Sequence, residues 1–288
     1  MLSGEVTSID RGDVYGVGVR LIQGIDEVYG FTNHISFESV LQVVKNLRAS
    51  FSGDLTQAKK LGEKIPFVDD IKKPMNSVPV AEKSQILQSL SNQIKSYDER
   101  IVQAMAQLLE IEQNVLIANT DGVFQDDKRT YSRVYLVAVA QENGMMQQGY
   151  ESQGRYMGFE LFDAIDASAY AQEAAESAIK ALSAEDMVAQ VMPVVIHNGF
   201  GGVIFHEACG HPLEATSIAK GLSPFVDKLG QKVGSDLVTA YDDGNVAGAW
   251  GKLNFDDEGK ATQKNLLIEN GVLKGYLVDY RNGRKMKM

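Results

Sequence analysis

The sequence predicts an α+β fold: an N-terminal sheet with packed helices, followed by the start of a mostly antiparallel β domain. Three observations predict it. Before about residue 190, amphipathic helical spacings are interleaved with short alternating strands. Asp166 to Leu182 is alanine-rich, and such small side chains let a helix pack closely on a sheet. From about Leu237 onward, short apolar runs alternate with Asp-Asp-Gly, Asp-Glu-Gly and Asn-Gly turns, an antiparallel pattern. The change of character divides the chain into an α+β domain over 1–190 and a second part over 191–288. The second part holds a histidine-bearing helix and the beginning of a mainly β domain.

The elements follow in order. Val17 to Leu21 alternates, Gln23-Gly24 offers a turn, and Val28 to Phe31 reads as the return strand of a hairpin over 14–33. Phe37, Val40, Leu41 and Val44 share one helical side over Ser36 to about Arg48. Residues 49–79 are polar, contain Pro66, Pro74 and Pro79, and read as a loop. Ile86, Leu87, Leu90, Ile94, Ile101, Met105 and Leu108 form a stripe that predicts one long helix from Ala81 to about Leu109. Strands are expected over Asn114–Asp121, continuing over Val123–Gln125 after a turn at Asp121-Gly122, then over Tyr131–Ala140 and over Gln147–Tyr156. Asp166 is a suitable cap for the alanine-rich helix. Met192 to Ile196 reads as a buried strand, His197 to Gly202 as a glycine-rich turn, and Val203-Ile204-Phe205 as a helix start. The last strands are placed around Leu266–Ile268 and Tyr276–Val278, and the basic run Arg281 to Lys285 as a solvated strand end.

Composition bounds the function. With 44% hydrophobic and 23% charged residues the chain is an ordinary globular sequence. A net charge of −10 argues against a nucleic-acid-binding surface, which needs clustered Lys and Arg. No apolar run approaches the roughly 18 residues of a membrane span, so no membrane partner is expected. A single cysteine, Cys209, excludes an internal disulfide framework. With no secretory signal at the start, a cytoplasmic protein is expected.

The most informative stretch is His206-Glu207-Ala208-Cys209-Gly210-His211, which holds two of the four histidines. Two imidazoles with a carboxylate beside the first are most of a hydrolytic zinc site: the rings hold the metal and the Glu takes a proton from the attacking water. The histidines lie at i and i+5, which an ideal α-helix would place roughly 140° apart. They converge only if the helix widens, as in a π-bulge, or ends between them. Gly210 is where such a distortion is easiest, and Pro212 also disturbs a regular helix. Spacing alone leaves a chance pair open.

Neighbouring residues carry open alternatives. Cys209 either faces the metal or is a small buried residue. Glu214, at i+3 from His211, either orients that ring or completes the site as a ligand. His197 is either a substrate contact or a satisfied loop histidine, and His34 has little functional weight. Gly199-Phe200-Gly201-Gly202 lacks the Lys-Ser/Thr of a phosphate loop. It is either a structural turn or a place where an extended substrate backbone approaches. Asp242-Asp243 and Asp256-Asp257 are turn formers first.

The stretch His206 to Ala215 resembles the H-E-x-x-x-H signature of the TldD subunit in the TldD/PmbA metallopeptidases. Gly16 to Arg20, Asn119 to Gly122, Asp242 to Gly244, Phe255 to Gly259 and Leu267 to Tyr276 fit the same family in the same order. The resemblance implies a zinc-dependent peptidase acting on unfolded polypeptides or peptides. It assigns His206 and His211 to Zn²⁺ and Glu207 to the role of general base. It also implies a PmbA/TldE-like partner subunit or a homodimer. The family's third ligand is a cysteine far downstream, so that ligand is expected outside this chain. The chain is therefore expected to be an internal fragment, inactive by itself. The alternative within the family is a non-catalytic subunit or interaction protein whose His pair is structural or vestigial.

Overall fold

The structure, a computed structural model, describes residues 1–288 except Leu55, Val68, Asp69 and Phe200. The fold is α+β. The chain forms two compact units, each assembled from separate stretches. One comprises residues 1–11, 59–190 and 244–262; the other comprises 12–58, 191–243 and 263–288.

The first unit is built on a three-stranded antiparallel sheet, β3 (Ile101–Ala118), β4 (Phe124–Glu142) and β5 (Met145–Arg155), in that order. Two helices cover one face, α2 (Val80–Ser96) and α4 (Ala167–Leu182), with the short α3 (Leu161–Ala164) preceding α4. Asp166 caps α4 by accepting from the Ala169 N–H at 2.9 Å. Ala171, Ala174, Ala175 and Ala178 are fully buried against the sheet. That approach requires Gly149 on β5, because a Cβ there would run into the Ala174 carbonyl oxygen. Ile94, Ile101, Val134, Leu136 and Ala138 complete this core.

The single long helix expected over 81–109 is instead a helix and a strand. The helix ends at Ser96, and Asp98 forms a turn by accepting from the Arg100 backbone N–H and guanidinium. Ile101, Ala104 and Ala106 are buried as strand residues. Their side chains satisfy a helical stripe almost as well as a strand. Pairing along β4, from Ile101–Ala140 to Ala118–Phe124, decides the outcome through backbone bonds that sequence spacing does not reveal.

The opposite face of the sheet receives residues 244–262. Asp127 on β4 has no exposed side-chain surface and is held by Arg129 Nε at 3.1 Å and Asn254 Nδ2 at 2.8 Å. Arg129 also donates to the Phe255 carbonyl and the Asp257 carboxylate. Tyr131 packs edge-on to Tyr156, at 5.2 Å between ring centroids, and against Trp250.

The second unit contains the hairpin β1 (Val17–Gln23) and β2 (Asp26–Thr32), closed by Gly24-Ile25 with Gly24 at φ +65°. Helix α1 (Phe37–Arg48) follows, capped by Ser36. The histidine-bearing segment is α5 (Gly202–Phe205), a π-helical turn His206–Gly210, a 3-10 turn His211–Leu213 and α6 (Ala215–Ile218). A sheet of β6 (Ala240–Asp243), β7 (Lys264–Glu269) and β8 (Val272–Leu273) lies in the same unit. Leu213, Leu267, Ile268 and Leu273 form its core.

Three local expectations change here. Residues 192–196 are exposed and belong to no strand among the described residues; β-branched side chains favour a strand but do not supply a partner. The basic run 281–285 lies in a helix, α7 (Tyr280–Met286), because Asp279 caps it through the Asn282 N–H. Tyr276–Val278 makes one bridge, Leu277 to Glu214, rather than a strand. No described helix is long and apolar enough to cross a membrane.

Candidate metal centre

The irregularity of the 202–213 helix is what builds the site. Across the π turn the His211 N–H bonds to the His206 carbonyl, a hydrogen bond closed over five residues. Residues five apart therefore stack on one side. The two imidazoles lie with centroids 4.3 Å apart and planes at 65°. Gly210 leaves room for this arrangement: a Cβ there would sit 3.3 Å from His206 Nδ1. Pro212 then tightens the chain into the 3-10 turn, and fully buried Leu213 anchors it.

His206, Glu207 and His211 each offer one ligand atom, all within 4.8 Å of one another, and all three residues are exposed. Two ligands of one zinc ion, with bonds of about 2.1 Å, can be no further apart than about 4.2 Å. The cluster thus fits one small ion after slight side-chain rotation. Imidazole nitrogen and carboxylate oxygen are donors that zinc accepts. Among the described residues, no hydrogen bond or ion pair occupies the His206 ring or the Glu207 carboxylate.

The remaining sequence candidates sort clearly. Glu214 Oε1 lies 2.7 Å from His211 Nδ1, outside the three-residue cluster. This hydrogen bond raises the His211 pKa; desolvation opposes it, and the charges of Glu214 and Glu207 add to it. Cys209 packs against the Leu213–Leu273 core, and burial pushes its thiol pKa up. His197 Nδ1 accepts from the Gly199 N–H at 3.2 Å and belongs to its own loop. Phe200, in the glycine-rich turn, lies outside the described residues. His34 is exposed, and its backbone N–H donates to Thr32. Asp256 closes a turn by accepting from the Glu258 and Lys260 N–H groups, each at 2.9 Å, and Asp257 pairs with Arg129. The sequence held no signal for the second-unit contact that pins Glu214, because it comes from Leu277, remote along the chain.

An α+β chain with an exposed His-Glu-His cluster on a distorted helix fits a metal-dependent hydrolase. Comparison with known proteins makes the class specific. Profiles of the PmbA/TldA metallopeptidase match in order: domain 1 at residues 1–51, the central domain at 73–182 and the C-terminal domain at 189–288. The chain belongs to the PmbA/TldD metallopeptidase family. It is 32% identical over 283 residues to a metalloprotease TldD homolog of Buchnera aphidicola subsp. Acyrthosiphon pisum, matching 94% of this chain and 58% of that protein. The chain thus spans little more than half of that relative's length. A solved Thermotoga maritima protein, named only as a candidate modulator of a DNA gyrase, superposes with a TM-score of 0.80 at 19% identity. That match covers 100% of this chain and 65% of the other. TldE of Thermococcus kodakarensis superposes with a TM-score of 0.69 at 17% identity, over 93% of this chain and 61% of the other. At these identities the likeness is one of fold.

Proposed function

We propose that this chain carries the metal-binding and proton-transferring part of a TldD-like zinc peptidase that cleaves unfolded polypeptides or peptides. The observation that supports it most is the convergence of His206 and His211 across a π turn, with Glu207 beside them. A regular helix would keep the rings apart, so the distortion is well explained by a shared ion. His206 and His211 hold the metal through ring nitrogens. Zinc, when bound, would polarise the scissile carbonyl and make the attacking water acidic. Glu207 accepts the proton of that water and returns it to the leaving amine. A catalytic zinc ordinarily has three protein ligands and one open position, so the third ligand is expected from outside these residues. The exposure of the cluster suits an extended polypeptide substrate. The likeness to TldE suits a PmbA/TldE-like partner, with a homodimer as the alternative, and the cysteine-poor composition supports a cytoplasmic setting.

The test uses the full-length protein. Its metal content is measured, and Glu207→Gln is assayed on unstructured peptides. Metal should stay near wild type while turnover falls by about 10²- to 10⁴-fold, since the amide keeps the shape but cannot take the proton. Wild-type turnover in this variant would remove Glu207 as the base. A full-length protein that takes up no metal would remove the zinc reading.

A further inference from the structure

We propose that Glu214 is the positioning residue for His211: its carboxylate holds Nδ1–H, so that Nε2 is the nitrogen left for the metal. This rests on the zinc reading above.

The geometry is specific. Oε1 of Glu214 stands 2.7 Å from Nδ1 of His211, close to the short end for a hydrogen bond. An imidazole whose Nδ1 donates to a carboxylate presents an unprotonated Nε2 when neutral. The two carboxylates near His211 therefore divide their work. Glu207 shares the three-residue ligand cluster with both rings, whereas Glu214 lies outside it and engages Nδ1 of His211.

Glu214 is also held in place more firmly than a surface glutamate would be. Its neighbours Leu213 and Ala215 are buried, at 0% and 2% exposure. Leu277 lies beside it as a parallel bridge: the Leu277 N–H donates to the Leu213 carbonyl at 2.9 Å, and the Ala215 N–H donates to the Leu277 carbonyl at 2.7 Å. The Glu214 N–H donates to the His211 carbonyl at 3.1 Å, which closes the 3-10 turn between the two residues. Thr216 Oγ1 lies 3.4 Å from the other carboxylate oxygen. Backbone and side chain thus both tie Glu214 to His211. Ring orientation is set from a core-anchored position, not from the exposed π turn.

The experiment measures zinc affinity by chelator competition in full-length wild type, Glu214→Gln and Glu214→Ala, alongside ¹⁵N NMR of the His211 ring in the metal-free proteins at alkaline pH. Glu214→Ala should weaken zinc by about 10- to 100-fold with the thermal midpoint of the metal-free protein unchanged, and Glu214→Gln, still an acceptor, should recover part of that loss. The wild-type ring should be held as the Nδ1–H form, and Glu214→Ala should lose that preference. Affinities of both variants within about twofold of wild type would overturn the proposal. So would a wild-type ring without tautomer preference. A wild type that binds no zinc would sink the zinc reading on which the proposal rests, whereas zinc binding without the expected losses would sink the positioning role alone.

Discussion

Two clusters of polar side chains in this protein are organised on opposite terms. Asp127, Arg129 and Asn254 are enclosed, and their polar atoms are matched to one another: Asp127 accepts from both partners, and Arg129 reaches a carbonyl and a second carboxylate. His206, Glu207 and His211 stand exposed on a distorted helix, with the two rings in contact and no hydrogen bond or ion pair at the His206 ring or the Glu207 carboxylate among the described residues. Burial explains the difference. A charge taken out of water must be paired, so the first cluster is closed and holds residues 244–262 on the sheet. A group proposed to engage an ion and a substrate would have to remain available, and the second cluster is open. The two clusters differ in burial and in completeness of pairing.

That contrast can be broken most directly at its open end. His206→Ala in the full-length protein should lose bound metal and reduce peptidase activity to background, while metal-free stability changes by no more than about 0.5 kcal/mol, as for other surface substitutions. Metal analysis, a peptide assay and a melting curve read all three. A large loss of stability would show that the open cluster is structural after all.

At the closed end the signs reverse. Arg129→Ala leaves the Asp127 carboxylate buried and unpaired, and should cost about 3–5 kcal/mol of stability by denaturant titration, with metal content unaffected. Asp257→Ala removes a partner that is 88% exposed and should cost at most about 1 kcal/mol. Equal losses from the two variants would contradict the importance given to burial.

The smallest effect sharpens the comparison through pH. Glu160 is buried at 6% exposure and accepts from the backbone N–H groups of Lys72 and Lys73 at 3.0 and 2.8 Å. Burial pushes its pKa up, but these backbone bonds outweigh it, and the net shift is below the ordinary 4.5. A depressed folded pKa means that the stabilisation is present above the unfolded value and is lost as pH falls through the folded one. The stability gap between wild type and Glu160→Gln should therefore be constant above about pH 4.5 and shrink on further acidification. A gap that persists undiminished into strong acid would sink this account.

Local chemistry made several elements legible from residues alone. Asp166 marked a helix start because a capping side chain acts within three residues. Gly24 marked the hairpin turn because few residues tolerate its positive φ. His206, Gly210 and His211 announced the helix distortion that brings the two rings together, because spacing and ring reach are local constraints. Tertiary structure alone decided the rest. Ile101 to Leu108 could serve a helix or a strand, and the β4 ladder chose the strand through backbone bonds to residues far along the chain. Val194 to Ile196 had the composition of a buried strand, yet stands exposed with no pairing partner among the described residues. The surroundings of Glu214 and Cys209 follow from where Leu277 and the Leu213–Leu273 core lie: the Glu214 carboxylate is hydrogen-bonded to His211, and Cys209 packs on the interior. Propensity and spacing act over a few residues. Pairing and burial depend on which distant segments meet, and only the folded chain determines that.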